Sequence, residues 1–242
     1  MHADVVDLRT FYSGHLGEVA QRLLGRVIRS RWENVAGQIV LGVGYPVPYL
    51  ETFRDAANRV LVLMPAAQGV VNWPNGSLSS TALADLDMMP LADASVDRVL
   101  VVHALETDEH PADLLAEIWR ILAPGGRMIA VVPNRRGLWA RMDTTPFGQG
   151  QPYSRGQLTR LLREALFSPV HWEEALYVPP LPSRFYIKAA TAWERLGTTL
   201  SLPFAGLHVI EASKTLYRPV AVRQMRRTSM RMAPAFAPAQ GA

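Results

Sequence analysis

The stretch Gln38-Ile39-Val40-Leu41-Gly42-Val43-Gly44-Tyr45-Pro46 limits the choice of fold more than any other part of the chain. Three consecutive apolar residues run into a Gly-x-Gly turn, and a helix-compatible segment, Val47 to Ala57, follows. Strand, glycine turn and helix form the first unit of a doubly wound α/β sheet of the nucleotide-binding kind. Glycines let backbone approach a ligand where a Cβ would collide, and a helix N-terminus offers free N–H groups. The third glycine of the dinucleotide fingerprint is absent, and Pro46 takes its place.

The chain on either side of that unit alternates strand and helix patterns. Within Asp4 to Trp32, Leu16, Val19, Ala20, Leu23, Leu24, Val27 and Ile28 recur at three- and four-residue steps. This predicts an amphipathic helix starting at Ser13 or Gly14, with Phe11 and Tyr12 before the break. Arg59 to Pro65 and Arg98 to Val102 are nearly continuous apolar runs, the pattern of parallel strands buried on both faces. A brief strand is expected at Thr81 to Ala84. A helix over His110 to Leu122 is expected to open with Pro111 and stop at Ala123-Pro124-Gly125-Gly126, before a strand at Arg127 to Val132. Ser154 three residues before Gln157 predicts a capping box for a helix reaching Phe167. A strand at Val170 to Val178, a proline hinge (Pro179, Pro180, Pro182), a helix near Phe185 to Leu196 and a strand at Leu207 to Lys214 complete the body. The expected architecture is a Rossmann-like, mostly parallel seven-stranded sheet with helices on both faces and an N-terminal helical cap.

Composition sets the remaining bounds. At 242 residues, 49% apolar and 19% charged, the chain suits one large α/β domain. That domain is expected over 1–214, with 1–34 as the cap. Cysteine is absent, which removes disulfides and thiolate chemistry and agrees with a cytoplasmic setting. No apolar run is long enough for a membrane span, and the start lacks the basic-then-apolar pattern of a signal peptide. Lys214, Arg218, Arg223, Arg226, Arg227 and Arg231 stand in a final stretch without an acid, so the formal charge of +4 belongs to the tail. The remaining 19 basic residues face 21 acids. The tail, 215–242, reads as a solvated, flexible end, with nucleic acid or an anionic surface as its alternative partner.

The motifs then converge. The Gly-x-Gly turn is followed by Asp85 through Met89-Pro90-Leu91, Ser95-Val96-Asp97, His103-Ala104-Leu105-Glu106, and Glu117-Ile118-Trp119-Arg120-Ile121-Leu122-Ala123-Pro124-Gly125-Gly126-Arg127. This order resembles the class I S-adenosylmethionine-dependent methyltransferases, and is most similar to the small-molecule branch called type 11. The motifs cover roughly Ile39 to Pro133. The resemblance implies that Gly42, Gly44 and Tyr45 wrap the methionine and ribose part of S-adenosylmethionine. It implies that Met64 and Pro65, ending strand two, lie against the ribose, that Asp85 meets the adenine amino group and that Leu86 packs on the ring. His103 and Ala104 are implied to line both cofactor and acceptor. The chain departs from the pattern at Val40 and Met64, where acids are expected, and has no carboxylate between Asp55 and Asp85. Gln68 or Asn72 is the expected substitute partner for the ribose.

Methyl transfer to a phenol, alcohol or amine needs a base, and His103, after strand four, is the candidate. Its alternative is a structural histidine beside the adenine. Tyr12 and His15 sit where a cap covers a substrate, and Arg135, Arg136 and Trp139 form a wall suited to an anion or a planar ring. Tyr153, with Arg155, belongs to the same wall or to a lid. His103, Glu106 and His110 have helical spacing, but Pro111 breaks the helix that would join them, so no metal is expected. The expected function is transfer of a methyl group to a small molecule. The alternative is a catalytically inactive relative serving as binding or regulatory subunit of a partner protein. An RNA methyltransferase is a third reading, carried by the tail alone.

Overall fold

A computed structural model describes residues 3–181, 184–199 and 204–216. Residues 217–242 of the tail expected over 215–242, and Pro182 of the proline hinge, lie outside the described residues.

Seven strands form one sheet: β1 (Ile39–Gly44), β2 (Arg59–Met64), β3 (Thr81–Leu83), β4 (Val96–Val102), β5 (Leu122–Pro133), β6 (Phe167–Ala175) and β7 (Leu207–Lys214), in the order 3-2-1-4-5-7-6. Strands β1 to β5 pair parallel, and β7 enters antiparallel between β5 and β6. The chain reverses between β1 and β4, and the C-terminal ends of the strands on either side of that point frame a crevice.

Among the described residues six α-helices cover the sheet: α1 (Val5–Ser13), α2 (His15–Arg31), α3 (Val47–Leu50), α4 (Pro111–Ile121), α5 (Arg155–Glu164) and α6 (Arg184–Thr199). The strand alternation sorts side chains to two faces. Val40, Leu100, Val102, Ile129 and Val131 pack with Leu8 of α1, Leu23, Leu24 and Ile28 of α2, Tyr49 and Leu50 of α3 and Ala190 of α6. Leu41, Val99, Val101, Met128 and Ala130 pack with Leu114, Leu115 and Ile118 of α4 and Leu158 and Leu162 of α5. Central strands buried on both faces explain the unbroken apolar runs, since each such side chain contributes about 1.5–3 kcal/mol on burial.

Several elements differ from the sequence expectation for local reasons. The N-terminal cap is two helices, because Gly14 is extended at ψ 158 and ends one before capping the next. Asp4 caps α1, its Oδ1 accepting from Val6 N and Asp7 N. The glycines expected in the first turn lie inside β1, which runs through Gly44. The following helix is one turn, Val47–Leu50, continued by a 3-10 turn over Glu51–Phe53 rather than reaching Ala57. The strand expected at Val170 starts at Phe167, where Phe167 pairs with Lys214, so α5 ends at Glu164. The predicted capping box at Ser154 and Gln157 forms.

The conspicuous segment from Glu117 to Arg127 has a structural function. Glu117, buried on α4, accepts from Met89 N at 2.7 Å and from Arg120 Nη2 at 2.6 Å. Arg120 also donates to the carbonyls of Met89 and Leu91 and pairs with Asp93. The arginine holds the Glu117 carboxyl below the usual range, and the pair fastens the loop after β3 to the helix before β5.

Candidate functional site

A cavity of about 390 Å³ opens at the C-terminal ends of β2, β3 and β4. Pro65 and Gln68 border it after β2, Asp85 and Leu86 after β3, and Ala104 after β4. Ala3, before α1, closes one side. Asp85, Asp87, Asp108 and Glu109 give the wall a negative field. Burial, then Asp108 and Asp85, push the Asp87 carboxyl up. Gln68 is buried; its Nε2 donates to His103 O at 2.9 Å, while Oε1 has no hydrogen-bond partner among the described residues. A buried acceptor left unpaired costs about 1–3 kcal/mol, so a hydroxyl donor here would be favoured.

Beside this cavity the end of β4 builds a second, tightly packed cluster. His103 follows the strand with φ 53, a left-handed backbone that turns its ring inward. Its Nε2 lies 2.9 Å from the Tyr12 hydroxyl of α1, and Nδ1 lies 3.3 Å from Glu106 Oε1. His103 and Glu106 are both 2% exposed, so this imidazole–carboxylate contact is buried rather than on the surface. Apart from the histidine, the Glu106 carboxylate oxygens have no partner among the described residues. Tyr12 also meets the Tyr49 hydroxyl at 3.0 Å and stacks on Tyr45. Phe147 covers the imidazole at a centroid distance of 4.5 Å. Burial first, then Tyr49 and Glu106, keep the Tyr12 phenol pKa well above its ordinary value, so its hydroxyl retains its proton.

The cluster is anchored from the far side of the sheet. Tyr153 donates to Leu105 O at 3.1 Å, and Gln151 N donates to Glu106 O at 2.6 Å. Burial, with Glu106 and Asp108, pushes the Tyr153 hydroxyl up to about 12. Gly150 sits against this loop at φ 84, where an added Cβ would be 2.3 Å from Glu106 O.

The cofactor residues expected from sequence therefore divide. Pro65, Asp85, Leu86 and Ala104 line the cavity. Gly42, Gly44, Tyr45, Met64 and His103 are not among its lining residues. A Cβ at Gly42 would meet the Pro46 ring at 2.3 Å, and one at Gly44 would meet Val102 O at 2.3 Å. The two glycines thus admit the chain's own atoms. Met64 is wholly buried in the core. Of the two substitutes, Gln68 is on the wall and Asn72 is exposed elsewhere.

The expected substrate residues divide as well. Tyr12 joins His103, whereas His15 is exposed at the start of α2, with Nδ1 3.6 Å from Glu18. Trp139 is buried, donates to Val178 O at 2.8 Å and packs on Phe147. Arg135 and Arg136 are exposed, and Arg136 lines a different cavity. Sequence reasoning missed Tyr49 and Phe147, whose roles depend on contacts 37 or more positions away.

Comparisons with known proteins agree with this layout. The family model described as a methyltransferase domain, type 11, matches residues 39–130, from β1 into β5. A probable S-adenosylmethionine-dependent methyltransferase of Mycolicibacterium smegmatis is 32% identical over 139 residues, 54% of this chain and 52% of that protein. The malonyl-[acyl-carrier protein] O-methyltransferase of Enterobacter lignolyticus is 27% identical over 141 residues, 56% of this chain and 51% of that protein. The chain spans about half the length of these curated relatives. The crystal structure of an S-adenosylmethionine-dependent methyltransferase from Mesorhizobium loti shares the fold, with a TM-score of 0.56 at 19% identity, over 78% of this chain and 96% of that one. The segment from β1 into β5 is thus similar to the methyltransferase domain, and the sheet is laid out as in the Mesorhizobium loti structure.

Proposed function

We propose that the cavity at the ends of β2, β3 and β4 binds S-adenosylmethionine, and that the chain methylates a small molecule. The unpartnered Gln68 Oε1 carries this reading. It stands just after β2, near where the resemblance implies a carboxylate for the ribose, and a ribose hydroxyl would supply its missing donor. Asp85 offers a carboxylate to the adenine amino group, and Leu86 packs on the ring. The acidic wall suits a ligand that carries cationic groups. When bound, the cofactor supplies an electrophilic methyl on a sulfonium.

The chain's own residues supply position and proton transfer. His103 Nε2 takes the acceptor's proton, and Glu106, 3.3 Å from Nδ1, orients the imidazole and stabilises its charged form. The Tyr12 hydroxyl occupies the place on Nε2 that an acceptor hydroxyl takes in this reading. Phe147 and Tyr45 keep water away from the proton.

Calorimetric titration with S-adenosylmethionine and S-adenosylhomocysteine tests this. Micromolar binding is expected, and Gln68→Ala should weaken it by about 10-fold, the loss of a hydrogen bond of about 1.4 kcal/mol. No heat at millimolar cofactor, with the protein shown to be folded, would rule the reading out and favour the inactive binding subunit.

A further inference from the structure

On the opposite face of β5 and β7 from α1, a second cavity of about 420 Å³ shares no residue with the first. His208, on β7, lines it and is 2% exposed, yet neither ring nitrogen has a hydrogen-bond partner among the described residues. Arg136, after β5, and Arg155, at the start of α5, stand at its wall, and neither guanidinium has a carboxylate partner among the described residues. Arg155 is held over Trp172 at 5.0 Å, and Trp172 packs edge-on against His208 at 5.4 Å. Ser154 Oγ caps Gln157 N, which leaves the N–H groups of Arg155 and Gly156 without a described acceptor. A Cβ at Gly156 would meet nothing within 4 Å, so the space over these amides is open.

The charges select among ligands. Two guanidinium groups and one carboxylate, Glu174, leave the wall with a net charge of +1 when His208 is neutral. Burial, with Arg155 adding to it, pushes the His208 pKa down to about 4, so the ring is neutral near pH 7. Glu174 Oε1 lies 3.7 Å from Nδ1 and favours the ring proton there, which leaves Nε2 a lone pair needing a donor. A fitting ligand is thus a monoanion whose oxygens meet the arginines and amides while its own hydroxyl donates to His208.

We propose that this cavity is a second ligand site, for a singly protonated phosphate group presented by inorganic phosphate or a phosphomonoester. It does not depend on cofactor binding in the first cavity. Arg136, the residue expected from sequence to hold an anionic substrate, thereby acquires a ligand apart from His103.

The full chain is titrated at pH 6 with inorganic phosphate, glycerol phosphate and sulfate, and binding is read by calorimetry and by the His208 ring signals in NMR. Saturable phosphate binding that moves those signals is expected. Arg136→Ala and Arg155→Ala should each weaken it at least 10-fold and leave S-adenosylmethionine affinity unchanged. Sulfate, which carries no proton at this pH, should bind at least 10-fold more weakly. Binding of glycerol phosphate without inorganic phosphate supports the site and assigns it to phosphomonoesters; binding of both makes the phosphate group itself sufficient. Failure of both to saturate, affinity indifferent to both arginine variants, or equal binding of sulfate would each overturn the proposal.

Discussion

His208 shows how much one buried side chain determines. Its folded pKa is pushed down to about 4 from an ordinary value of 6.5, burial being the larger cause and Arg155 the next. Between those values the unfolded chain binds a proton that the native chain refuses. Stability therefore falls as pH drops through that window and is retained above it. The full shift corresponds to roughly 3 kcal/mol at about 1.4 kcal/mol per unit, and a loss of about 1–3 kcal/mol is expected between pH 7 and pH 4.5. Urea denaturation in phosphate-free buffer, comparing the wild type with His208→Gln, measures it. The variant should lose less on acidification by about that amount. Parallel losses in the two proteins would assign the acid sensitivity elsewhere. Nothing around His208 in the sequence marks it, because Glu174, Trp172 and Arg155 reach it only through the β6–β7 pairing and the start of α5. Gln68, in contrast, was legible as a candidate, since a gap in carboxylates between Asp55 and Asp85 left few polar residues near the end of β2.

Helix α1 is the element whose importance the sequence understates. Nine residues are too few for a stable helix alone, so tertiary contacts must hold it. Val5 N donates to Gln68 O at 2.7 Å, Leu8 is buried, and the Tyr12 hydroxyl bridges His103 and Tyr49. One short helix thus touches both the wall of the first cavity and the buried histidine. Tyr12→Phe keeps the ring on Tyr45 while leaving His103 Nε2 and the Tyr49 hydroxyl unpaired. A loss of about 1–3 kcal/mol in stability is expected, with amide exchange in α1 rising before that of β4. Unchanged denaturation midpoints and exchange rates would show that the hydroxyl bridge contributes nothing. The apolar spacing of α2 was plain in the sequence, but α1 has a weaker stripe, and only the extended Gly14 separates the two.

At the scale of the whole molecule, sheet order places the chemistry. Because β4 lies beside β1 rather than β3, the loop from His103 to Glu106 adjoins the ends of β1 and β2. A ligand in the resulting crevice touches segments from three strands and stabilises the native state as one unit. At 100 times Kd, S-adenosylmethionine should add about 2.7 kcal/mol, or roughly 5–11 °C in Tm at ~2–4 °C per kcal/mol for a domain of this size. A thermal scan across cofactor concentration measures this, and a flat Tm above the calorimetric Kd would mean that binding is not linked to global unfolding. No described helix is long and apolar enough to cross a membrane.

The sequence by itself determined the doubly wound class and the strands of the sheet, because burial on both faces demands unbroken apolar runs and local caps terminate helices. It also marked the segment that matches the methyltransferase-domain model, in which Glu117 and Arg120 lie one helical turn apart with partners in the Met89–Leu91 loop. Only the tertiary structure decided which polar groups are left without partners. Gln68 Oε1, the Glu106 carboxylate and the His208 ring acquire their chemistry from what the fold withholds from them, a hydrogen-bond partner among the described residues. Such deprivation is a property of packing across distant segments, and no local pattern of residues encodes it.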